Sequence, residues 1–213
     1  MNTEQLIAAL SAEVPRVPRH ALAKRIAIGV VAGSLAAMVL VAMVLGIRPD
    51  LDIAMRSFAF WMKWTYSLSL AAGAAYAVSR LARPAPGNLR ILWLLAVPVL
   101  VLLGIGIGEL ARTPPGEWRA LWLGHSWGIC PFIVLALAVP IFAGLLWSFR
   151  RLAPTRLRAA GAAAGLAAGA WAATIYCLHC GEASAIFVLT WYSLGILLAT
   201  AIGALLGPRV LRW

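Results

Sequence analysis

Charge is what this sequence has least of: 12% of its 213 residues are Asp, Glu, Lys or Arg, where an ordinary soluble domain carries about 25%. Hydrophobic residues make up 63% of the chain. A water-soluble fold cannot hide that much apolar surface, so a soluble globular class is excluded. Negative charge is scarcest, with seven Asp and Glu against eighteen Lys and Arg and a formal net charge of +11. An excess of that kind can mark nucleic-acid binding. The basic residues here stand at the ends of apolar runs rather than on one soluble face, which argues against that partner. Also missing is a charge-free apolar core followed by a small-residue cleavage site, so no removable signal peptide is read. Long polar stretches are absent too, which leaves little room outside the apolar runs for a catalytic apparatus.

The apolar runs are long and several. A membrane span needs about 20 mostly apolar residues, and six segments qualify: 26–47, 58–79, 91–110, 128–147, 158–178 and 185–206. Backbone groups inside lipid must bond within their own segment, which makes these segments helices. Pro, Gly or charge fills each gap, as in Arg48-Pro49-Asp50 and Thr113-Pro114-Pro115-Gly116. The sequence therefore predicts an all-α membrane protein: a short segment, 1–25, ahead of a six-helix transmembrane bundle, 26–213.

Lysine and arginine in short loops set the orientation of such a bundle. One set of segments holds Arg16, Arg19, Lys24, Arg25, Arg80, Arg83, Arg90, Arg150, Arg151, Arg156, Arg158, Arg209 and Arg212. The alternate set holds only Arg48, Arg56, Arg112 and Arg119, with Lys63 just inside the second span. Thirteen against five, alternating loop by loop, puts the first set and both chain ends in the cytoplasm. Trp61, Trp64, Trp118, Trp122 and Trp127 then fall near the outer ends, and Trp93, Trp147 and Trp213 near the inner ends. Amphipathic rings favour those levels. Lys63 lies roughly five residues into its span, about 7.5 Å deep at the helical rise. A lysine at that depth can snorkel to the surface or pair with Glu109 at the outer end of the third span.

Small and sulfur-bearing residues mark two further features. Gly161, Gly165 and Gly169 repeat every four residues in the fifth span. That spacing lets helix backbones approach closely, and it suits internal packing better than a dimer face, although both uses fit it. The three cysteines, Cys130, Cys177 and Cys180, all fall on the outer side, with His125, His179 and Glu182 nearby. Thiols and imidazoles gathered at one face can act as soft metal ligands. The same thiols can form a disulfide outside the inner membrane. Against both stands the plain role of cysteine as a small core hydrophobe. No resident cofactor is expected; a heavy-metal ion, bound transiently, is the ligand the thiols suit.

The N-terminal segment carries its own pattern. Thr3 is a candidate cap for a short helix whose apolar residues Leu6, Leu10 and Val14 recur every four positions, widened by Ile7. Pro15 and Pro18 end it ahead of Lys24-Arg25. An amphipathic helix on a proline hinge suits docking into a partner's groove. It equally suits lying on the membrane surface.

Several stretches together resemble a known family. They are Gly46-Ile47-Arg48-Pro49-Asp50-Leu51, Phe60-Trp61-Met62-Lys63-Trp64-Thr65-Tyr66, Tyr176-Cys177-Leu178-His179-Cys180 with Phe187 and Thr190-Trp191-Tyr192, and the tail from Gly203 to Trp213, which ends Gly207-Pro208-Arg209-Val210-Leu211-Arg212-Trp213. Nearly the whole chain is similar to the NrsF family of membrane-embedded anti-sigma factors. The resemblance implies that residues before the first span hold an extracytoplasmic-function sigma factor at the bacterial inner membrane. It also implies that a periplasmic-side cysteine pair, Cys130 and Cys180 by position, senses heavy metals or related oxidative stress. Cys177 stands outside that two-cysteine pattern and can compete as partner or ligand, and Glu182 follows as a weak ligand.

Two other classes are weighed against this non-enzymatic regulator. A quinone-linked thiol oxidoreductase commonly needs two cysteine pairs, and the chain has three thiols. A small metal transporter would need ligands near the bilayer midplane, and no carboxylate or histidine lies there.

Overall fold

The computed structural model describes residues 2–12, 20–83, 90–149, 152 and 154–212, and among them every regular element is helical. The first helix, α1, is Thr3–Ala12. Its cap is Asn2 rather than the expected Thr3. The Asn2 side chain accepts from the Glu4 N–H at 3.3 Å, and the Gln5 side chain accepts from the Asn2 N–H at 3.2 Å. This reciprocal arrangement satisfies N–H groups that a helix start leaves open. Val14, Pro15 and Pro18 lie outside the described residues, as do Arg16, Arg19, Arg150, Arg151 and Trp213.

Each of the six expected spans is a helix. α2 is Ala21–Leu40, extended by a π-helical turn over Val41–Leu45 and stopped at Gly46, whose φ of 78° favours glycine. A short α3, Leu51–Ala54, precedes α4, Phe58–Leu81, which starts where the Ser57 hydroxyl accepts from the Phe60 N–H. A 3₁₀ stretch, Arg90–Leu95, leads into α5, Ala96–Arg112. α6, Trp118–Leu123, is a short connector that ends at Gly124. α7 is Cys130–Phe149 and α8 is Leu157–Tyr176. α9, Ala185–Phe187, passes through a second π-helical turn, Val188–Tyr192, into α10, Ser193–Val210.

Five of these helical stretches are long and apolar enough to cross a membrane: Ala21–Leu45, Arg90–Arg112, Cys130–Phe149, Leu157–Tyr176 and Ala185–Val210. α4 has the length, at 24 residues, but Lys63, Thr65, Ser67 and Ser69 make its first half more polar. Two hydroxyls there find protein partners instead of lipid: those of Tyr66 and Ser193 lie 2.6 Å apart, and Ser69 donates to the Tyr66 carbonyl at 2.9 Å. The buried Ser67 hydroxyl has no partner among the described residues.

α8 forms the centre, packed on α4, α7 and α10. Its glycine stripe is taken up inside the molecule. A Cβ on Gly161 or Gly165 would collide with the backbone carbonyls of Gly203 and Ala199 in α10, and one on Gly169 would press on Ile196. The internal reading of the stripe therefore holds, and that face is closed to a second copy. A second close crossing, absent from the sequence reading, sets Gly29 and Gly33 of α2 against Gly144, Ile141 and Pro140 of α7. Backbones approach this closely only where side chains are small, and van der Waals packing is what holds helices together in lipid. At the same crossing Arg25 donates to the Ser148 carbonyl at 3.1 Å, Ser148 donates back to the Arg25 carbonyl, and the guanidinium lies 4.5 Å over the Trp147 ring. The six long helices alternate in direction, so the start of α2 and the end of α10 share one end of the bundle. All three cysteines sit at the other.

Candidate functional site

The cysteine end is built around the turn that follows α8. Cys177 closes the helix, and the N–H groups of His179 and Cys180 both bond the Tyr176 carbonyl, at 3.0 and 2.9 Å. Cys130 opens α7, its N–H bonded to the Ser126 carbonyl at 2.9 Å. As expected for a hairpin of the fourth and fifth spans, the three thiols lie within electrostatic reach of one another. Each is free and buried, with exposures of 0% for Cys130 and Cys177 and 4% for Cys180. Cys177 donates weakly to the Ala173 carbonyl at 3.3 Å. The fully buried Tyr192 hydroxyl borders the group and makes no hydrogen bond to nitrogen or oxygen among the described residues. A cavity of about 360 Å³ opens beside the turn, lined by His125, Ser126, Tyr176, His179, Cys180, Gly181 and Glu182. Cys180 is the one cysteine that borders it.

The expected auxiliary ligands are otherwise engaged. His179 turns its Nδ1 to the Gly46 carbonyl, 2.8 Å away. Glu182 Oε1 accepts from the His125 N–H at 2.7 Å, the Ser126 N–H at 3.0 Å and the Ser126 hydroxyl at 3.1 Å. The His125 ring points outward, its Nδ1 4.0 Å from that same carboxylate oxygen. Among the described residues no group of three or more His, Cys, Asp or Glu is arranged to hold a metal ion. This donor set, in this arrangement, does not fit a closed metal site.

Charged residues do the joining. Lys63 is 1% exposed, so it neither snorkels to the surface nor meets Glu109. Its ammonium donates to the carbonyls of Cys180, at 3.0 Å, and Glu182, at 2.5 Å. A buried charge needs such partners because desolvation is costly. Glu109 is drawn elsewhere, accepting from Ser184 Oγ at 3.1 Å and from the Ala185 and Ile186 N–H groups at 2.8 and 3.3 Å. A carboxylate at the open N–H groups of a helix start is the favoured place for negative charge. Arg48 completes the set. Its N–H bonds the Leu178 carbonyl at 3.1 Å, and its Nη1 reaches the Cys180 carbonyl at 3.4 Å. Its other nitrogens hold Asp50 at 2.8 and 2.6 Å. That pairing pushes Asp50 below the usual carboxylate range and Arg48 further up.

In the sequence Arg48 reads as a loop charge, and the Tyr192 hydroxyl has no evident role. The one usable signal was Lys63, a basic residue inside an apolar run. At the N-terminus, Leu6, Ile7 and Leu10 of α1 are 42%, 58% and 61% exposed, leaving an apolar face without cover.

Fold and site together define a class: an all-α, multi-pass membrane-type bundle with a buried thiol group at one end and an uncovered amphipathic helix at its N-terminus. Comparison with known proteins narrows this. Residues 10–213 match the family model described as negative regulator of sigma F. The chain is 42% identical over 213 residues, the full length of both, to the probable anti-sigma-F factor NrsF of Azospira oryzae. It is 39% identical over 215 residues, again the full length of both, to the anti-sigma-F factor NrsF of Caulobacter vibrioides. The chain belongs to the NrsF family, as its motifs suggested. The relatives are named as regulators, so the oxidoreductase and transporter readings fall away. No solved structure matches the chain.

Proposed function

We propose that this protein restrains a sigma factor of the sigma F kind at the bacterial inner membrane and lets it go when thiols on the far side react. The observation that carries the reading is the full-length likeness to relatives named anti-sigma-F factors. α4 serves as a sixth span beside the five more apolar ones, and the lysine and arginine bias puts both chain ends in the cytoplasm. α1 then faces the compartment where a sigma factor is found. Leu6, Ile7 and Leu10 share one face of α1 and offer the kind of stripe that enters a partner's groove; Val14 continues it in sequence.

On the opposite side, Cys130 and Cys180, with Cys177 as competitor, are the reacting groups. Closing a disulfide between two of them removes two protons and two electrons, which pass to an oxidant. A heavy-metal ion is the other trigger. Because the donors are not arranged for one in this state, an ion would favour a rearranged state, and a ligand shifts a population only by such a difference in affinity.

The test is co-purification of the sigma factor with the full chain and with a chain lacking residues 2–12, joined to a sigma-dependent reporter in cells. Loss of binding on deletion is expected. A Cys130→Ser, Cys180→Ser double variant is expected to restrain the sigma factor but no longer respond to metal or oxidant. Unaltered binding without residues 2–12 would refute the docking half. An intact response in the double variant would refute the sensing half.

A further inference from the structure

We infer that Lys63 and Arg48 couple the cysteine turn to the rest of the bundle, through one shared acceptor, the carbonyl oxygen of Cys180. The inference rests on the reading above, in which the thiols are the point of entry, and adds the residues that carry their movement inward.

Two cations from different parts of the chain converge on that oxygen: Lys63 Nζ from α4 at 3.0 Å and Arg48 Nη1, just beyond α2, at 3.4 Å. Neither is a spare surface contact. Lys63 is buried, and its two hydrogen bonds both go to carbonyls of the turn. Hydrogen bonds from a charged group are stronger than neutral ones, and stranding a buried ammonium costs its full desolvation. α4 and the turn therefore move together or the ammonium loses its partners.

Arg48 ties the turn to α2 by a second route. Its N–H holds the Leu178 carbonyl, Asp50 fixes the orientation of its guanidinium, and His179 bonds the Gly46 carbonyl two residues earlier. α2 leaves this point through the π-helical turn Val41–Leu45. Single π-helical turns inside α-helices are rare and are frequent at functional sites. The helix then runs along α7, glycine against glycine, to Arg25 and Ser148 at the opposite end. That end adjoins the segment leading to α1. A shift of the Cys180 peptide thus has a bonded path to both helices. Rigid elements with two arrangements are what transmit such shifts.

The experiment uses the full chain in lipid nanodiscs. N-ethylmaleimide is added, so that the Cys180 thiol adds across the reagent's double bond, and adduct formation is followed by mass. Hydrogen exchange is read at residues 41–50 and 21–30 before and after. In the unaltered protein, alkylation is expected to raise exchange at least ~fivefold in both stretches, the size of a small coupling free energy. In Arg48→Met the adduct forms as before, and the rise at 21–30 falls to less than half of that. Lys63→Met should do the same; Arg48→Met, at a partly exposed site, keeps the test alive if Lys63→Met does not fold. A merely structural role would lower thermal stability and leave the response to alkylation in place. The inference is overturned if Arg48→Met transmits the change to 21–30 undiminished. It is equally overturned if alkylation of the unaltered chain leaves α2 unchanged, or if no adduct forms on Cys180. Should α2 respond as expected while the sigma factor binds equally with and without residues 2–12, the coupling stands and the docking reading fails.

Discussion

Helices α5 and α8 are both apolar and both long enough to cross a membrane, yet they occupy opposite places in the molecule. In the α5 stretch, Arg90–Arg112, the most apolar 18-residue window has mean hydropathy 2.6 and only 11% of that window is buried. In the α8 stretch, Leu157–Tyr176, the most apolar 18-residue window has mean hydropathy 1.2 and 78% of that window is buried. In water the more hydrophobic helix would be the central one. In lipid the ranking inverts, because a leucine face is as comfortable against acyl chains as against protein. Alanine and glycine faces gain more from close backbone contact. α8 is central because its side chains are small. α5 is held mainly at its end, where Glu109 caps α9.

The contrast can be broken where it is strongest. Gly161→Leu forces a large side chain into the Gly203 and Gly207 backbone, and the cost is expected to be about 3 kcal/mol. Thermal unfolding in detergent should show it, and a variant as stable as the parent would mean that α8 and α10 do not pack this way. Next in size is the tether of the loose helix. Glu109→Gln keeps the shape but loses the charge that three donors share, for an expected loss of about 1–2 kcal/mol. Hydrogen exchange should rise at Ala185 and Ile186 before it rises in α8.

Smaller still is Gly104→Ala on α5, where a Cβ meets nothing within 4 Å. Helix propensity alone then predicts a gain of about 0.5–1 kcal/mol, opposite in sign to any enlargement at Gly161. The smallest effect concerns Asp50. Its pKa is depressed by Arg48, so the pair contributes fully above the unfolded value of about 3.9. The contribution fades as pH falls through the lowered folded value. A stability profile taken from pH ~6 downward should flatten slightly in Asp50→Asn; an unchanged profile would show that the pair adds nothing at this exposed site.

How much of this was legible depends on the kind of signal. The helical runs were, because a span announces itself through some twenty consecutive residues. The stripe of Gly161, Gly165 and Gly169 was legible as a close-packing face. Its mates on α10 were not: Gly203 and Gly207 stood out only as part of a tail, and Ala199 did not stand out at all. Nor did Gly29 and Gly33 on α2. Nothing local in a helix says which other helix it will meet. The candidate site divides the same way. That the cysteines share one end followed from counting spans. That Lys63 would hold carbonyls 117 and 119 positions away did not, since any backbone carbonyl is an equally good acceptor until the fold selects one. Glu182 was read as a weak ligand because a carboxylate beside cysteines suits one; its backbone partners at His125 and Ser126 come from another loop.

By itself, then, the sequence determined the solvent of this protein, the number and approximate bounds of its long helices, the shared end of its thiols and its family. Those properties follow from composition and order along the chain, and lipid enforces them on each segment separately. Tertiary structure alone decided that the least hydrophobic of the five apolar stretches sits at the centre, and that a buried lysine and a loop arginine meet at one carbonyl oxygen. Both depend on which small faces and which open hydrogen-bonding groups come into contact, and that is settled between segments rather than within them.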